Sequence, residues 1–443
     1  MPYSVGMVSL GCEKNRVDAE IMMASLEKAG YVLKDDAAMA DVAIVNTCGF
    51  IESAKQESIE EILELAKLKK EGRIRALIVT GCMAERYRDE IRRELPEADA
   101  VCGIGANGEI ADIVRQTLEG EHPEIFLEKE RLPLEGDRVR STPSYFAYIK
   151  IAEGCDNRCS YCAIPLIRGG YRSRTMESIV AEAERLAAEG AKELILIAQD
   201  TTRYGKDLYG RYALPELLTK LCAIDGPRWI RLLYCYPDAV TDELLDVMAR
   251  EKKIVKYMDL PLQHCSKRVL RAMRRAGDRE QLIALIHKMR ERVPGLVLRT
   301  TMIAGFPGET QEDFDELCEF AKEIRFERLG CFAYSQEEGT PAGEMDGQLP
   351  KEEKERRRDI LMEQQMTVMQ RWGESRVGQT VEVLVEGFDR YAECWFGRSA
   401  ADAPDVDGKI FFMAGGKKPR LGEFRKVKIT DCIDCDLMGE IVG

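Results

Sequence analysis

Short apolar runs alternate with longer stretches of helical periodicity through the first 118 residues. The runs are VGMVSL, DVAIVN, RALIVT and ADAVCGIG, and stretches such as ESIEEILELAKLKKEG separate them. This alternation predicts an α/β fold, in which helices cover both faces of a parallel sheet. Ligands of such sheets bind beyond the carboxyl ends of the strands. Residues that directly follow the apolar runs are therefore the first candidates for a functional site.

The same alternation resumes at about residue 144 and continues to about 335. Six apolar runs predict six strands, which are FAYIKIA, ELILIA, WIRLLY, YMDLPL, LVLRTTMI and LGCFAY. We therefore predict a partial (βα)6 barrel. A charged helix follows from about Lys351 to Trp372, and the short runs after it, TVEVLVEGF, KIFFM and KVKIT, predict a small all-β barrel or sandwich.

These patterns divide the 443 residues into three domains, in keeping with about 150 residues per domain. We predict a first domain at 1–118, a charged and proline-broken linker at 119–143, a second domain at 144–372 and a third at 373–443. No apolar run is long enough to span a membrane, and the N-terminus lacks the pattern of a secretory signal. We therefore expect a cytoplasmic protein without a membrane partner.

Fifteen cysteines in a chain without an export signal predict reduced thiols that are available to bind metal. Three of them form a CxxxCxxC loop directly after the strand FAYIKIA, namely Cys155, Cys159 and Cys162. Iron-sulfur clusters commonly have four cysteine ligands, so a loop of three predicts an iron with an open coordination site. The alternatives are a zinc loop or buried thiols, but structural zinc requires four ligands and no histidine lies nearby.

Three further cysteines each follow a predicted strand of the first domain: Cys12, Cys48 and Cys82. Because the carboxyl ends of parallel strands meet at one edge of a sheet, these thiols are expected to converge. Their spacing alone leaves open whether they bind metal or are buried thiols.

The triad loop, with Tyr161 as the aromatic residue before its last cysteine, resembles the signature of the radical S-adenosylmethionine superfamily. The contexts SLGCEKNRVDAE, NTCGFI and GCMAER resemble the three cysteine motifs of the methylthiotransferases in that superfamily, and the resemblance covers essentially the whole chain. It implies a flavodoxin-like N-terminal domain, a central radical domain and a C-terminal TRAM domain.

The resemblance also implies the cofactors, which are S-adenosylmethionine and two [4Fe-4S] clusters. One cluster is implied at Cys12, Cys48 and Cys82, and the other at the catalytic cysteines Cys155, Cys159 and Cys162. One S-adenosylmethionine would methylate sulfur at the first cluster, and a second would be cleaved at the other to give a radical that removes hydrogen from the substrate. Sulfur would then capture the substrate carbon.

Contacts to S-adenosylmethionine are implied for four residues near the strand ends: Tyr161, Gln199, Asp200 and Gln263. The resemblance places Tyr161 near the adenine and Gln199 near the methionyl group. Polar side chains at the ends of barrel strands commonly form such sites. Each of the polar residues also has the alternative of hydrogen bonding within the barrel.

Two substrates are known for this family, a tRNA adenosine and an aspartate of small-subunit ribosomal protein twelve, near the decoding centre. The stretch MDLPLQHCSKRVLRAMRR resembles the ribosomal-protein branch, in which His264 follows the Pro-Leu-Gln run, and YSQEEGTPA and GRSAADAPDVDG also look like that branch. We therefore predict methylthiolation of the aspartate β-carbon. Sulfur-donor and electron-donor proteins are expected as further partners.

Charge favours the same branch, because the net charge of -13 opposes attraction to a phosphate backbone. Residues 374–443 contain 13 acidic and 10 basic side chains, an unusual balance for a tRNA clamp. In one loop, Asp402, Asp405 and Asp407 are predicted either to offer carboxylates to a basic partner or to form a solvated turn. The remaining alternatives are a tRNA adenosine methylthiotransferase and a noncatalytic ribosome-assembly factor with structural clusters.

Overall fold

The computed structural model of the chain describes residues 2–415 and 418–442. The ends of the predicted first and third domains, residues 1 and 443, lie outside this part. Two sheets of six parallel strands and one closed five-stranded barrel follow each other along the chain. The predicted α/β class, the partial barrel and the small C-terminal β barrel are therefore confirmed.

The N-terminal sheet has the strand order β2-β1-β3-β4-β5-β6, and all of its strands are parallel. Its strands are β1 Ser4–Ser9, β2 Val32–Lys34, β3 Val42–Thr47, β4 Ala76–Gly81, β5 Ala100–Cys102 and β6 Glu124–Ile125. Its helices are α1 Glu13–Lys28, α2 Glu52–Lys70, α3 Cys82–Arg86, α4 Arg88–Glu94 and α5 Ile110–Leu118. Every residue of β3 and β4 is buried, as expected for central strands with helices on both faces.

Two strands of this sheet are absent from the sequence prediction. The first, β2, has three residues, and the second, β6, has two and lies within the predicted linker. Strands this short carry no readable apolar period. The predicted linker thus begins by adding a strand to the edge of the N-terminal sheet.

The second sheet contains the six predicted strands in the order β14-β13-β12-β11-β10-β7, all parallel. The strands of this region are β7 Phe146–Lys150, β8 Ala152–Glu153, β9 Arg172–Ser173, β10 Glu193–Ile197, β11 Trp229–Leu232, β12 Ile254–Asp259, β13 Val297–Ala304 and β14 Arg328–Ala333. Its helices are α6 Ile164–Arg168, α7 Met176–Ala188, α8 Leu214–Cys222, α9 Asp242–Arg250, α10 Lys267–Ala272, α11 Arg279–Arg292 and α12 Gln311–Ile324. The two short strands β8 and β9 pair separately beside the triad loop.

Side chains that cap helix N-termini explain where several barrel helices begin. Thr175, Thr241, Asp278 and Thr310 each accept a hydrogen bond from a backbone N–H in the first turn of the following helix. The outer faces of the strands pack on these helices in one large apolar core. Val17 of α1 packs with residues of the inner faces, among them Tyr148 and Tyr257, so the N-terminal domain lies directly against the barrel interior.

The long helix α13, Lys351–Glu374, leads into the C-terminal domain. This domain is a closed barrel in the order β15-β16-β17-β19-β18, with β15 Thr380–Asp389, β16 Cys394–Arg398, β17 Ile410–Met413, β18 Phe424–Ile433 and β19 Asp436–Ile441. It docks on the central domain through the edge-to-face pair Trp229 and Phe424, whose ring centroids are 4.7 Å apart, and through Glu193, which accepts hydrogen bonds from both Arg231 and Arg398. No helix in the described ranges is long and apolar enough to cross a bilayer.

Candidate active site

The triad loop lies between β8 and α6, at the carboxyl end of the first barrel strand. Cys159 is buried, and Cys155 and Cys162 are half-buried. Burial raises the pKa of Cys155 to about 11 and that of Cys162 to about 12, and the charge of Cys159 acts in the same direction on both. The three thiols therefore lie close enough together for the charge on Cys159 to affect both of the others.

Contacts from several barrel elements hold the triad loop. The backbone N–H of Ser160 donates to the carbonyl of Met273 at 3.0 Å, and its hydroxyl donates to the carbonyl of Ala272 at 2.8 Å. Arg275 extends Nη1 to within 3.7 Å of the Cys159 sulfur, and its guanidinium lies 4.2 Å from the ring centroid of Tyr236. A buried cation thus faces the triad.

The three N-terminal cysteines meet at the carboxyl edge of the first sheet. Cys12 immediately precedes α1, Cys48 follows β3 and Cys82 opens α3, and the strands before them are neighbours in the sheet. Gly11 approaches Cys48 so closely that a Cβ at residue 11 would lie 2.7 Å from the Cys48 sulfur. Burial raises the pKa of Cys82 to about 12, and charge on Cys12 and Cys48 acts in the same direction. The topology therefore brings these thiols together.

The two cysteine sites touch. Cys82 packs with Ala163 and Ile167, which follow Cys162 in the chain and belong to the start and body of α6. Arg168, at the end of α6, donates from Nη2 to the Cys82 sulfur at 3.4 Å. The helix that leaves the triad loop thus contacts the N-terminal site directly.

Four fully buried charged side chains lie between the two sites: Asp18, Lys150, Glu153 and Arg168. Lys150 donates to both carboxylates, and Arg168 Nη1 donates to Asp18 Oδ2 at 2.8 Å and to Glu153 Oε2 at 2.9 Å. Burial acts to raise the pKa of Glu153, but Arg168 and Lys150 overcome it and the pKa is well below its usual range. The four charges balance, which is the arrangement that buried ions require.

Gln199 extends this network toward the mouth of the barrel. Its Nε2 donates to Glu153 Oε1 at 2.5 Å, which fixes the orientation of the amide. Its Oε1 is buried and has no hydrogen-bond partner in the described part of the chain. A buried free acceptor at this point fits an ammonium group, such as that of S-adenosylmethionine, because buried polar groups are normally satisfied.

Asp200 is fully buried and its carboxylate is surrounded by donors from this chain. Asn157 of the triad loop donates to it at 2.9 Å, Thr202 at 2.7 Å, and Arg203 through both its backbone N–H and Nε at 3.2 Å. These contacts make Asp200 an anchor of the triad loop. Its predicted contact with S-adenosylmethionine stays a prediction.

Tyr161 and Gln263 occupy the same end of the barrel. Tyr161 packs against the apolar cluster that includes Phe306 and Tyr334, and its hydroxyl accepts from Arg275 at 3.4 Å. Gln263 has a φ of 73°, and its backbone exchanges hydrogen bonds of 2.8 Å with Thr301 and Ile303 of β13. A left-handed backbone is uncommon for a glutamine. The roles of both residues toward S-adenosylmethionine stay predictions.

Each of the two sites offers three cysteine thiols as donors. Within residues 2–415 and 418–442, no three His, Cys, Asp or Glu side chains form a group that could hold one metal ion. Iron-sulfur clusters are held by cysteine thiolates around their corners. Two sets of three buried or half-buried thiols, each with an arginine at one sulfur, fit two such clusters.

The prediction for the acidic C-terminal loop is wrong for two of its three residues. Asp402 is buried, accepts from Ser399 at 2.7 Å and pairs with Arg328 of the central domain. Asp407 accepts from the Tyr257 hydroxyl, also of the central domain, and only Asp405 is exposed. The groups that pair with Asp402 and Asp407 thus belong to the central domain of the same chain. These two carboxylates therefore hold the C-terminal domain on the barrel instead of binding a basic partner.

Sequence reasoning missed the buried charges that join the two sites. Lys150 ends the otherwise apolar run FAYIK, and Glu153 and Arg168 flank the triad loop in IAEGC and PLIRGG. A charge inside a buried strand signals a paired ion, since lone buried charges are costly. The partner Asp18 lies in another domain, so no local pattern identifies it.

A partial barrel of six parallel strands, with a three-cysteine loop after the first, defines a radical S-adenosylmethionine enzyme. The family model of the radical SAM superfamily matches residues 149–321, that of the TRAM domain matches 377–442, and that of the uncharacterized protein family UPF0004 matches 4–103. Full-length relatives identify the family: the chain belongs to the ribosomal protein uS12 methylthiotransferase RimO family. Membership implies S-adenosylmethionine and [4Fe-4S] clusters as cofactors, as the cysteine motifs predict.

Two relatives illustrate the similarity. The chain is 49% identical to ribosomal protein uS12 methylthiotransferase RimO of Desulforamulus reducens, with 99% of each chain covered. It is 51% identical to the protein of that name from Pelotomaculum thermopropionicum, with 100% of each covered. A solved structure of the radical S-adenosylmethionine methyltransferase TsrM from Kitasatospora setae, with cobalamin and a [4Fe-4S] cluster bound, has a TM-score of 0.58 at 17% identity and covers 77% of each chain. That likeness concerns the fold alone.

Proposed function

We propose that this enzyme transfers a methylthio group to the β-carbon of an aspartate in ribosomal protein uS12. The observation that carries the proposal is the direct contact of the two cysteine sites, where Cys82 packs on α6 and accepts from Arg168. Transfer of sulfur to a carbon radical requires the sulfur and the radical source to lie at one cleft. The two relatives described above are both named for uS12, which supports the substrate.

We assign one cluster to Cys12, Cys48 and Cys82 and the other to Cys155, Cys159 and Cys162. When bound, the triad cluster with S-adenosylmethionine supplies the radical, and the other cluster supplies sulfur. The six thiols must lose their protons to become ligands, and Arg168 and Arg275 compensate the charge at Cys82 and Cys159.

We assign the S-adenosylmethionine site to Tyr161, Gln199, Asp200 and Gln263. The free Oε1 of Gln199 accepts from the ammonium group, and Glu153 holds the amide in that orientation. Asp200 contributes by holding Asn157 and hence the triad loop. The apolar cluster around Tyr161 excludes water from one side of the site.

The net charge of -13 supports a basic ribosomal protein over tRNA as the substrate. We also propose that the enzyme is cytoplasmic and that a sulfur-donor protein and an electron-donor protein serve it. The proposed domain boundaries lie at residues 118, 143 and 372.

The test is anaerobic turnover of the reconstituted enzyme with purified uS12 and with bulk tRNA in parallel, followed by mass analysis of peptides and nucleosides. We expect the mass of an added methylthio group on one uS12 aspartate and none on tRNA adenosine. Cys155→Ala must abolish deoxyadenosine release as well as the modification, whereas Cys82→Ala must abolish the modification but leave deoxyadenosine release.

Modified adenosine with unmodified uS12 would instead identify a tRNA enzyme. Wild-type enzyme that binds both clusters but releases no deoxyadenosine would identify a noncatalytic assembly factor.

A further inference from the structure

Arg168 belongs to one cysteine site by sequence and to the other by contact. It follows Cys162 by six residues, at the end of α6, yet its Nη2 donates to the sulfur of Cys82, 86 residues earlier in the chain. The same nitrogen donates to Asn15 Oδ1 at 3.2 Å on α1, close to Cys12. Only 1% of Arg168 is exposed. The guanidinium is therefore part of the wall of the N-terminal site.

The ion pairs of Arg168 involve Nη1, so Nη2 can donate a hydrogen bond to the Cys82 sulfur. Nη1 is occupied by Asp18 and Glu153, and Lys150 supplies the second positive charge that these carboxylates need. The guanidinium is planar and holds its donors at fixed angles, so anchoring Nη1 also fixes Nη2 on Cys82. A lysine at this position has no second, rigidly oriented nitrogen.

A donor and a positive charge at a cluster thiolate have a definite electronic effect. Hydrogen bonds to the sulfurs and nearby charge set the reduction potential of iron-sulfur clusters. Reduction adds negative charge, so a buried cation stabilises the reduced state and raises the potential. Little water is present to screen the effect, because Cys82 is itself buried.

We propose that Arg168 is a positioning residue of the N-terminal cluster: it orients the Cys82 thiolate and raises the reduction potential of the cluster held there. The inference rests on the proposed function, since it needs a cluster at Cys12, Cys48 and Cys82. Because α6 directly follows the triad loop, the position of that loop determines where Arg168 lies. Arg168 thereby links the geometry of the triad site to the reduction potential of the N-terminal cluster.

The experiment is a redox titration of the full-length holoenzyme, with each cluster followed by electron paramagnetic resonance and iron counted per chain. Addition of S-adenosylmethionine perturbs the triad signal and so distinguishes the two clusters. The variants are Arg168→Lys and the double variant Arg168→Gln with Asp18→Asn, which keeps the buried charges balanced. Arg231→Lys is the matched control, because Arg231 of β11 is an equally buried arginine paired with Glu193 at the start of β10.

We expect the midpoint potential of the N-terminal cluster to become more negative in the double variant and to shift less in Arg168→Lys. The triad cluster and the control should keep the wild-type potentials. If the double variant loses the N-terminal iron, the test is the midpoint potential of the N-terminal cluster in Arg168→Lys, which must be more negative than in wild type. An unchanged N-terminal potential at full iron, or an equal shift of both clusters, would overturn the proposal. A wild-type chain that loads only the triad cluster would overturn the proposed function itself.

Discussion

The hydroxyl of Tyr257 on barrel strand β12 donates a hydrogen bond of 2.6 Å to Asp407 in the loop after β16 of the C-terminal domain. Tyr257 is fully buried, and the same carboxylate accepts from the backbone N–H of Ala403 at 2.8 Å. This contact connects the inside of the barrel to the domain that the family model identifies as TRAM. The C-terminal domain is thus held by specific polar pairs as well as by apolar packing.

Tyr257→Phe should lower the free energy of unfolding by about 1–2 kcal/mol, because it leaves a buried carboxylate with one donor fewer. Chemical denaturation measures this change. The control is Tyr391→Phe, since Tyr391 is fully exposed on the C-terminal domain and its substitution should have no effect. Equal stability of the two variants would show that the Tyr257 contact contributes nothing to docking.

Docking should also depend on pH through Glu193. Burial acts to raise the pKa of Glu193, but Arg398 and Arg231 overcome it, so the folded pKa lies below the ordinary value. Such a carboxylate stabilises the fold fully above its unfolded pKa of about 4.3, and the stabilisation is lost as the pH falls through the folded pKa.

At pH 7, Glu193→Gln should therefore cost about 3–5 kcal/mol, since it leaves two buried arginines without their carboxylate. The difference from wild type should shrink as the pH falls below about 4. Unfolding measured across this range checks the slope, with the exposed Glu184→Gln as the control that should follow wild type. If the difference in the free energy of unfolding stayed constant with pH, the ion pairs of Glu193 with Arg231 and Arg398 would not contribute to docking as proposed.

The triad loop should lose metal when its anchor is changed. Asp200 accepts from Asn157 of the loop, so Asp200→Asn replaces one acceptor oxygen by a donor and releases the loop. Loss of a residue that orients metal ligands typically costs 10–100-fold in metal affinity, and we expect at least about 10-fold here.

Competition with a chelator measures this metal affinity. The experiment uses a protein in which Cys12, Cys48 and Cys82 are substituted, so that only the triad binds iron. Asp207→Asn is the control, because Asp207 is exposed and accepts its two hydrogen bonds from Ser173 of β9 instead of from the triad loop. If Asp200→Asn retained as much iron as Asp207→Asn, Asp200 would not be an anchor of the triad loop.

Local pattern predicts most of this molecule, and its limits have a physical cause. The strand ends predict that the N-terminal cysteines meet, because the carboxyl ends of parallel strands lie at one edge of a sheet. The ion pairs of Asp18 with Arg168 and of Asp402 with Arg328 escape prediction. Each joins residues from different domains, and the charge of either partner alone is compatible with a solvated surface position.

His264, the residue whose context resembles the ribosomal-protein branch, is fully buried. Its Nδ1 accepts from the backbone N–H of Ser266 at 3.0 Å, and its Nε2 lies 3.5 Å from Glu309, which in turn accepts from the backbone N–H groups of Gly305 and Phe306. The side chain thus supports the loop after β13. It is enclosed by the protein and has no surface from which to select a substrate.

We therefore expect His264→Gln to destabilise the fold by about 1–3 kcal/mol, because buried polar groups lose their partners. It should leave uS12 as the modified substrate, with no gain of activity on tRNA adenosine. Thermal unfolding and mass analysis of both substrates measure the two effects. The exposed His287→Gln serves as the control and should change neither. If His264→Gln transferred activity to tRNA at unchanged stability, this histidine would determine specificity directly instead of supporting the loop.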